Sequence, residues 1–100
     1  MSIEITARHL NITVELQEHA RRRTEALVAE FPKIEFAHVI LDVQRHLYVA
    51  EVVVQHKGLP QVEARESTGD MVAAIDAAAL KVEKQLRKHR EKIVTSHHKV

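Results

Sequence analysis

Cysteine is absent from the 100 residues. That excludes disulfides, thiolate catalysis and cysteine zinc sites, and it fits a reducing compartment. Two glycines, Gly58 and Gly69, are too few for a phosphate-cradling loop. The only aromatics are Phe31, Phe36 and Tyr48, which argues against a single-strand binder that stacks bases on several rings. No apolar run approaches the roughly 18 residues of a membrane span. The start, "MSIEITARH", lacks the charged-then-apolar layout of a signal peptide, so a cytoplasmic location is expected. Eight histidines invite a metal reading, but His97 and His98 are adjacent, the others are scattered, and no His-x₃-His pair occurs. His89 falls near an apolar helix edge and reads as a packing residue. No nucleophile–base pairing is legible in the residue order. Neither a cofactor nor a metal is expected, and no enzyme activity.

What is present is a well-patterned small domain. Hydrophobic residues make up 45 % and charged residues 29 % of the chain, the balance of one globular unit. Residues 3–7, "IEITA", alternate as a half-buried strand. Thr13 is placed to cap a helix whose stripe runs Leu16, Ala20, Thr24, Leu27, Phe31, until Pro32 stops it. Three strands follow over 36–44, 47–56 and 61–67, with "KGLP" as the turn before the last. In the first of these, Ala37, Val39, Leu41 and Val43 face one way while His38, Asp42 and Gln44 face the other. Ile40 breaks the alternation and is expected to pack under a sheet edge. A second helix runs from about Gly69 or Asp70 to Ile93. The fold class is therefore α+β: a two-layer sandwich in the order β-α-β-β-β-α, with two helices on one face of a four-stranded sheet. Residues 1–95 form the domain, and 96–100 are expected to be a disordered tail.

Charge is distributed unevenly. Residues 81–100 hold seven Lys/Arg against two Glu, a balance of +5, whereas residues 1–80 hold eight against twelve Asp/Glu, a balance of −4. On the second helix, Met71, Ile75, Ala78, Ala79, Val82, Leu86 and Ile93 share an arc about 100° wide. Lys81, Lys84, Lys88 and Lys92 share another of about 80°, some 130° away, extending for about 16 Å along the axis. Arg87 and Arg90 widen this patch, and only Glu83 and Glu91 interrupt it. Like charges at i,i+4 cost a few tenths of a kcal/mol per pair, a cost that nothing in the unliganded chain is seen to offset. A polyanion would offset it by counterion release. The helix dipole accounts for cations in the last turn, Arg90 and Lys92, but does not reach Lys81 or Lys84. A second cluster, "HARRRTE", brings Arg22 and Arg23; by itself it reads better as a solvated face flanked by Glu18 and Glu25. Together the clusters point to nucleic acid, structured RNA recognised by shape and phosphate. A free-standing double-stranded RNA-binding module and a helix-mediated protein-interaction domain with an acidic partner fit the same pattern.

The stretch Asp70–Asp76, "DMVAAID", followed by Lys81, Lys84, Gln85, Leu86, Lys88, His89, Arg90 and Lys92, resembles the ribosome hibernation promoting factors, also called ribosome-associated inhibitors or YfiA-like proteins. "NITVEL" at Asn11–Leu16 supports the resemblance, which spans residues 1–95. It implies a translation regulator that binds the small ribosomal subunit in the mRNA and tRNA channel, with both helices contacting 16S rRNA backbone. The implied contacts are the lysine row, Arg87, Arg90 and, on the first helix, Arg22 and Arg23. Val72 stands where the family usually has Tyr. The chain stops soon after the second helix, so the resemblance is to the short form, which in some bacteria acts with a separate small modulation factor.

Overall fold

A computed structural model describes residues 2–98, with side chains described through residue 90. Its elements are β1 (Ser2–Ala7), α1 (Val14–Glu30), β2 (Ile34–Gln44), β3 (Leu47–His56), β4 (Val62–Thr68) and α2 (Met71–His98). The element order and the two-layer architecture are those the sequence predicts. The α2 backbone continues past the expected end at Ile93 to His98. Residues 99 and 100 lie outside the described residues.

The sheet has the order β1-β2-β3-β4. β1 runs parallel to β2, with α1 as the crossover that such a pair requires, and the other pairings are antiparallel. Register puts Ile5 beside Val39, Val39 beside Val52, and Val52 beside Ala64, so one apolar row crosses all four strands. α1 packs on β1 and β2, α2 packs on β3 and β4, and the helices pack on each other. Ala37 and Ala50 on the sheet and Ala20, Ala74 and Ala78 on the helices are fully buried, and such small side chains let helix and strand approach closely. Leu27, Leu41, Ile75, Val52 and Val82 fill the volume between them.

The ends of the helices are fixed locally. The Thr13 side chain accepts a hydrogen bond from Leu16 N at 3.1 Å, the expected cap, and Glu15 lies in the first turn. At the other end Phe31 N donates to Leu27 O before Pro32 removes the next donor. Buried Thr24 satisfies its hydroxyl by donating to Ala20 O at 2.7 Å. α2 is capped by Asp70, whose Oδ2 accepts from Ala73 N at 3.0 Å.

One expectation for β2 is corrected. Ile40 is not under an edge: β2 is an interior strand, and Ile40 stands between Thr6 and Glu51 on the face away from the helices. Asp42, on that same face as the alternation predicts, is buried, and His9 Nδ1 donates to its Oδ1 at 2.9 Å. That contact needs the β1–α1 loop to turn back, which His9 accomplishes with φ +60°. Local pattern does not report such a tertiary contact.

Candidate nucleic-acid interface

The buried arc of α2 is occupied by Met71, Ile75, Ala78, Ala79, Val82 and Leu86, as its spacing predicts. This fixes the rotation of the helix and therefore where each cation emerges. Lys81 emerges toward β4, where its Nζ meets Glu66 Oε1 at 2.9 Å. Gln85, one residue after Lys84, donates to Glu63 O on the same strand at 3.3 Å. Lys84 and Lys88 are exposed and make no ion pair among the described residues. The Lys92 side chain lies outside the described residues, as does that of Ile93.

Arg87 and Arg90 emerge on the opposite flank, over α1. Arg87 Nη2 donates to Glu30 Oε2 at 2.7 Å and to Glu83 Oε2 at 2.9 Å. Arg90 approaches Glu30 at 3.7 Å and lays its guanidinium 4.8 Å from the Phe31 ring centroid, a cation–π distance. On α1, Arg23 is half-buried and reaches Glu83 at 3.5 Å, so one α2 carboxylate joins both helices. Arg22 is exposed, with only a loose contact to Glu18 at 3.7 Å.

The two clusters therefore do share the helical layer, but as two flanks. One is a lysine flank above β4, open at Lys84 and Lys88. The other is an arginine flank along the α1–α2 groove, already supplied with carboxylates. The expectation that only Glu83 and Glu91 interrupt the patch is corrected here, because Glu66 and Glu30 reach it from β4 and α1. Lys84 and Lys88 keep their i,i+4 repulsion, with no carboxylate partner among the described residues. Lys81, Arg87, Arg90, Arg22 and Arg23 all have carboxylate partners, and for all but Arg22 one comes from an element other than the cation's own. The Glu83–Arg87 pair was legible as an i,i+4 spacing with the acid N-terminal. Glu30 and Glu66 were not, because only packing brings α1 and β4 to α2.

The remaining polar pairs hold the scaffold. His19 on α1 donates to Asp76 on α2 at 2.8 Å, and His38 hydrogen-bonds Thr6 at 2.9 Å across the parallel strand pair. His89 is half-buried at a cleft of about 190 Å³ between Phe31, Pro32, Leu86 and Arg90. Among the described residues, no three His, Asp or Glu side chains converge as a metal site would require. None of their helices is long and apolar enough to cross a membrane.

Comparison with known proteins agrees with this fold. A family model described as Sigma 54 modulation protein / S30EA ribosomal protein matches residues 3–94. The ribosome hibernation promoting factor of Pseudomonas putida is 34 % identical over 92 residues, covering 92 % of this chain and 89 % of that protein. The protein of the same name from Escherichia coli K12 is 29 % identical over 93 residues, covering 93 % and 97 %. Among solved structures, a ribosomal subunit interface protein from Coxiella burnetii superposes with a TM-score of 0.82 at 22 % identity, over 91 % of this chain and 99 % of that one. The N-terminal domain of Thermus thermophilus Protein Y superposes at 0.77 with 27 % identity, over 89 % and 99 %. A match across nearly the whole length, carried by the same strand and helix order, makes this chain a member of the Sigma 54 modulation protein / S30EA ribosomal protein family.

Proposed function

We propose that this protein is a ribosome-binding hibernation factor acting in the cytoplasm, without catalysis, by occupying the mRNA and tRNA channel of the small subunit. The observation that carries the reading is the pair Lys84 and Lys88. Both are exposed and unpaired among the described residues, on a helix whose rotation is fixed by a fully buried opposite face. Lysines in that setting hold their positive charge toward solvent with no partner among the described residues. Phosphates of 16S rRNA would accept it, releasing counterions. The names of the relatives, ribosome hibernation promoting factor and ribosomal subunit interface protein, support the ribosome as the source of those phosphates.

In this reading Lys81, Lys84, Lys88 and Lys92 contact rRNA backbone on one flank, and Arg87, Arg90, Arg22 and Arg23 contact it on the other. Inhibition is then steric, since a domain lodged in the channel excludes mRNA and tRNA. The test is co-sedimentation with 30S and 70S ribosomes at two salt concentrations. The wild-type protein should bind stoichiometrically and weaken as salt rises. The K81E/K84E/K88E variant, shown folded by circular dichroism, should fail to bind. Wild-type occupancy by that variant would sink the proposal. A dimeric ribosome peak in the same gradients would mark pairing, alone or with a separate modulation factor.

A further inference from the structure

In the α1–α2 groove three guanidinium groups share two carboxylates. The chain of contacts runs Arg23–Glu83 at 3.5 Å, Glu83–Arg87 at 2.9 Å, Arg87–Glu30 at 2.7 Å and Glu30–Arg90 at 3.7 Å. Among the described residues, three arginines stand against two glutamates there. Glu83 is the most enclosed member, with 16 % of its side chain accessible, against 44 % for Arg87 and 52 % for Arg90. Glu83 therefore sits beneath all three arginines, and Glu30, at 34 %, beneath Arg87 and Arg90 though not beneath Arg23, at 23 %. Both supply the planar, two-oxygen acceptor that a guanidinium would otherwise seek in a phosphate.

This arrangement has two physical effects. Without acceptors, three like-charged side chains in one groove would repel and splay, and ordering them on binding would cost affinity. With acceptors they are already seated. The same carboxylates also repel a phosphate that approaches the groove alone, so contact here is unfavourable unless other contacts support it. The open lysines, Lys84 and Lys88, present neither constraint.

We propose that Glu83 and Glu30 are the specificity-determining positioning residues of this surface. They seat Arg23, Arg87 and Arg90 for an RNA whose phosphates match those positions, and they disfavour RNA that offers only charge. The inference rests on the rRNA-binding reading above and adds the source of its selectivity. It differs from simple electrostatics in its prediction. A charge-only surface should bind every RNA better when a carboxylate is neutralised, and by a similar factor.

The experiment measures the dissociation constants of the full chain for 30S subunits and for a plain RNA duplex at one ionic strength. The proteins are wild type, E83Q, E30Q, the double variant and E83D. Neutralisation should raise duplex affinity while subunit affinity stays flat or falls. The ratio between the two should drop on the order of tenfold in the double variant. E83D, which keeps the charge, should stay near wild type. Glu30 is the more accessible of the two, so E30Q alone provides the result if E83Q unfolds. Equal gains for both RNAs, or no change in either, would overturn the inference while leaving the ribosome-binding reading intact. Failure of the wild type to bind 30S would remove both.

Discussion

Arg87 of α2 and Glu30 of α1, 57 residues apart in the chain, meet at 2.7 Å across the helical layer. The contact links the basic helix to its neighbour at the point where α1 ends. It also determines what a mutation there would report. Both side chains are partly solvated, so the pair should contribute modestly, about 0.2–1 kcal/mol. A double-mutant cycle with R87A and E30A, read by urea denaturation, should return a coupling in that range that shrinks in high salt. A coupling unaffected by salt would mean that packing rather than charge joins the two.

The lysine flank predicts an order of effects. K84A and K88A each remove a cation that has no partner among the described residues, and each should lower the salt dependence of ribosome binding by somewhat under one unit of log–log slope. Lys81 must first release Glu66, so K81A should cost less affinity than either. E66Q, which frees Lys81, should tighten binding slightly. Co-sedimentation across a salt series measures all four. A larger loss for K81A than for K84A would contradict the geometry.

The sequence made the scaffold legible because its two periodicities are clean. The stripe from Met71 to Leu86 and the alternation Ala37, Val39, Leu41 each name a buried face, and those residues are the core. Thr13 and Pro32 mark the ends of α1 by chemistry that acts within a few residues. The cation positions were legible for the same reason, since helix rotation follows from the buried arc. Their partners were not. Glu30, Glu66 and the His9–Asp42 contact are joined by packing between elements distant in sequence, and no spacing rule reaches that far. The alternation places Asp42 on the face opposite Ala37 and Val39, but not its burial or its bond to His9.

The core predicts a conventional stability series at Ile75, which is 1 % exposed between α2 and the sheet. I75V should cost about 0.5–1.5 kcal/mol and I75A about 2–5 kcal/mol, the latter a large share of a small domain's stability. Urea midpoints with unchanged slope would confirm that only stability has moved. A cost below 1 kcal/mol for I75A would show that the helix can settle into the space left behind.

Asp42 sets an acid limb. The hydrogen bond from His9 holds its carboxyl below the ordinary value of 3.8, with Val43 N–H acting the same way at 2.8 Å and burial opposing both. A group whose folded pKa is depressed contributes stability that is present above the unfolded value and lost as pH falls through the folded one. The wild type should therefore lose stability below about pH 4 more steeply than D42N. D42N should be less stable than wild type at neutral pH, with the difference closing in acid. Chemical denaturation at a series of pH values measures both curves, and parallel curves would exclude Asp42 as a contributor.

The β2–β3 hairpin turns through two residues, Arg45 and His46, between the paired Gln44 and Leu47. Arg45 has φ +58°, left-handed backbone that glycine and asparagine adopt easily and a longer side chain does not. The penalty for an L-residue there is about 1 kcal/mol. Arg45 is exposed and makes no ion pair among the described residues, so nothing local offsets it. R45G removes the strain but loosens the unfolded chain, which takes back about 0.4–1 kcal/mol. R45N removes much of the strain with less of that loss, and R45V adds a branched Cβ where space is already unfavourable. Thermal melts should therefore rank Asn first, Gly close to or slightly above wild type, and Val last. The spread from Asn to Val should be about 1–3 kcal/mol. A wild type more stable than R45N would mean that the Arg45 side chain contributes more to the fold than its exposure indicates.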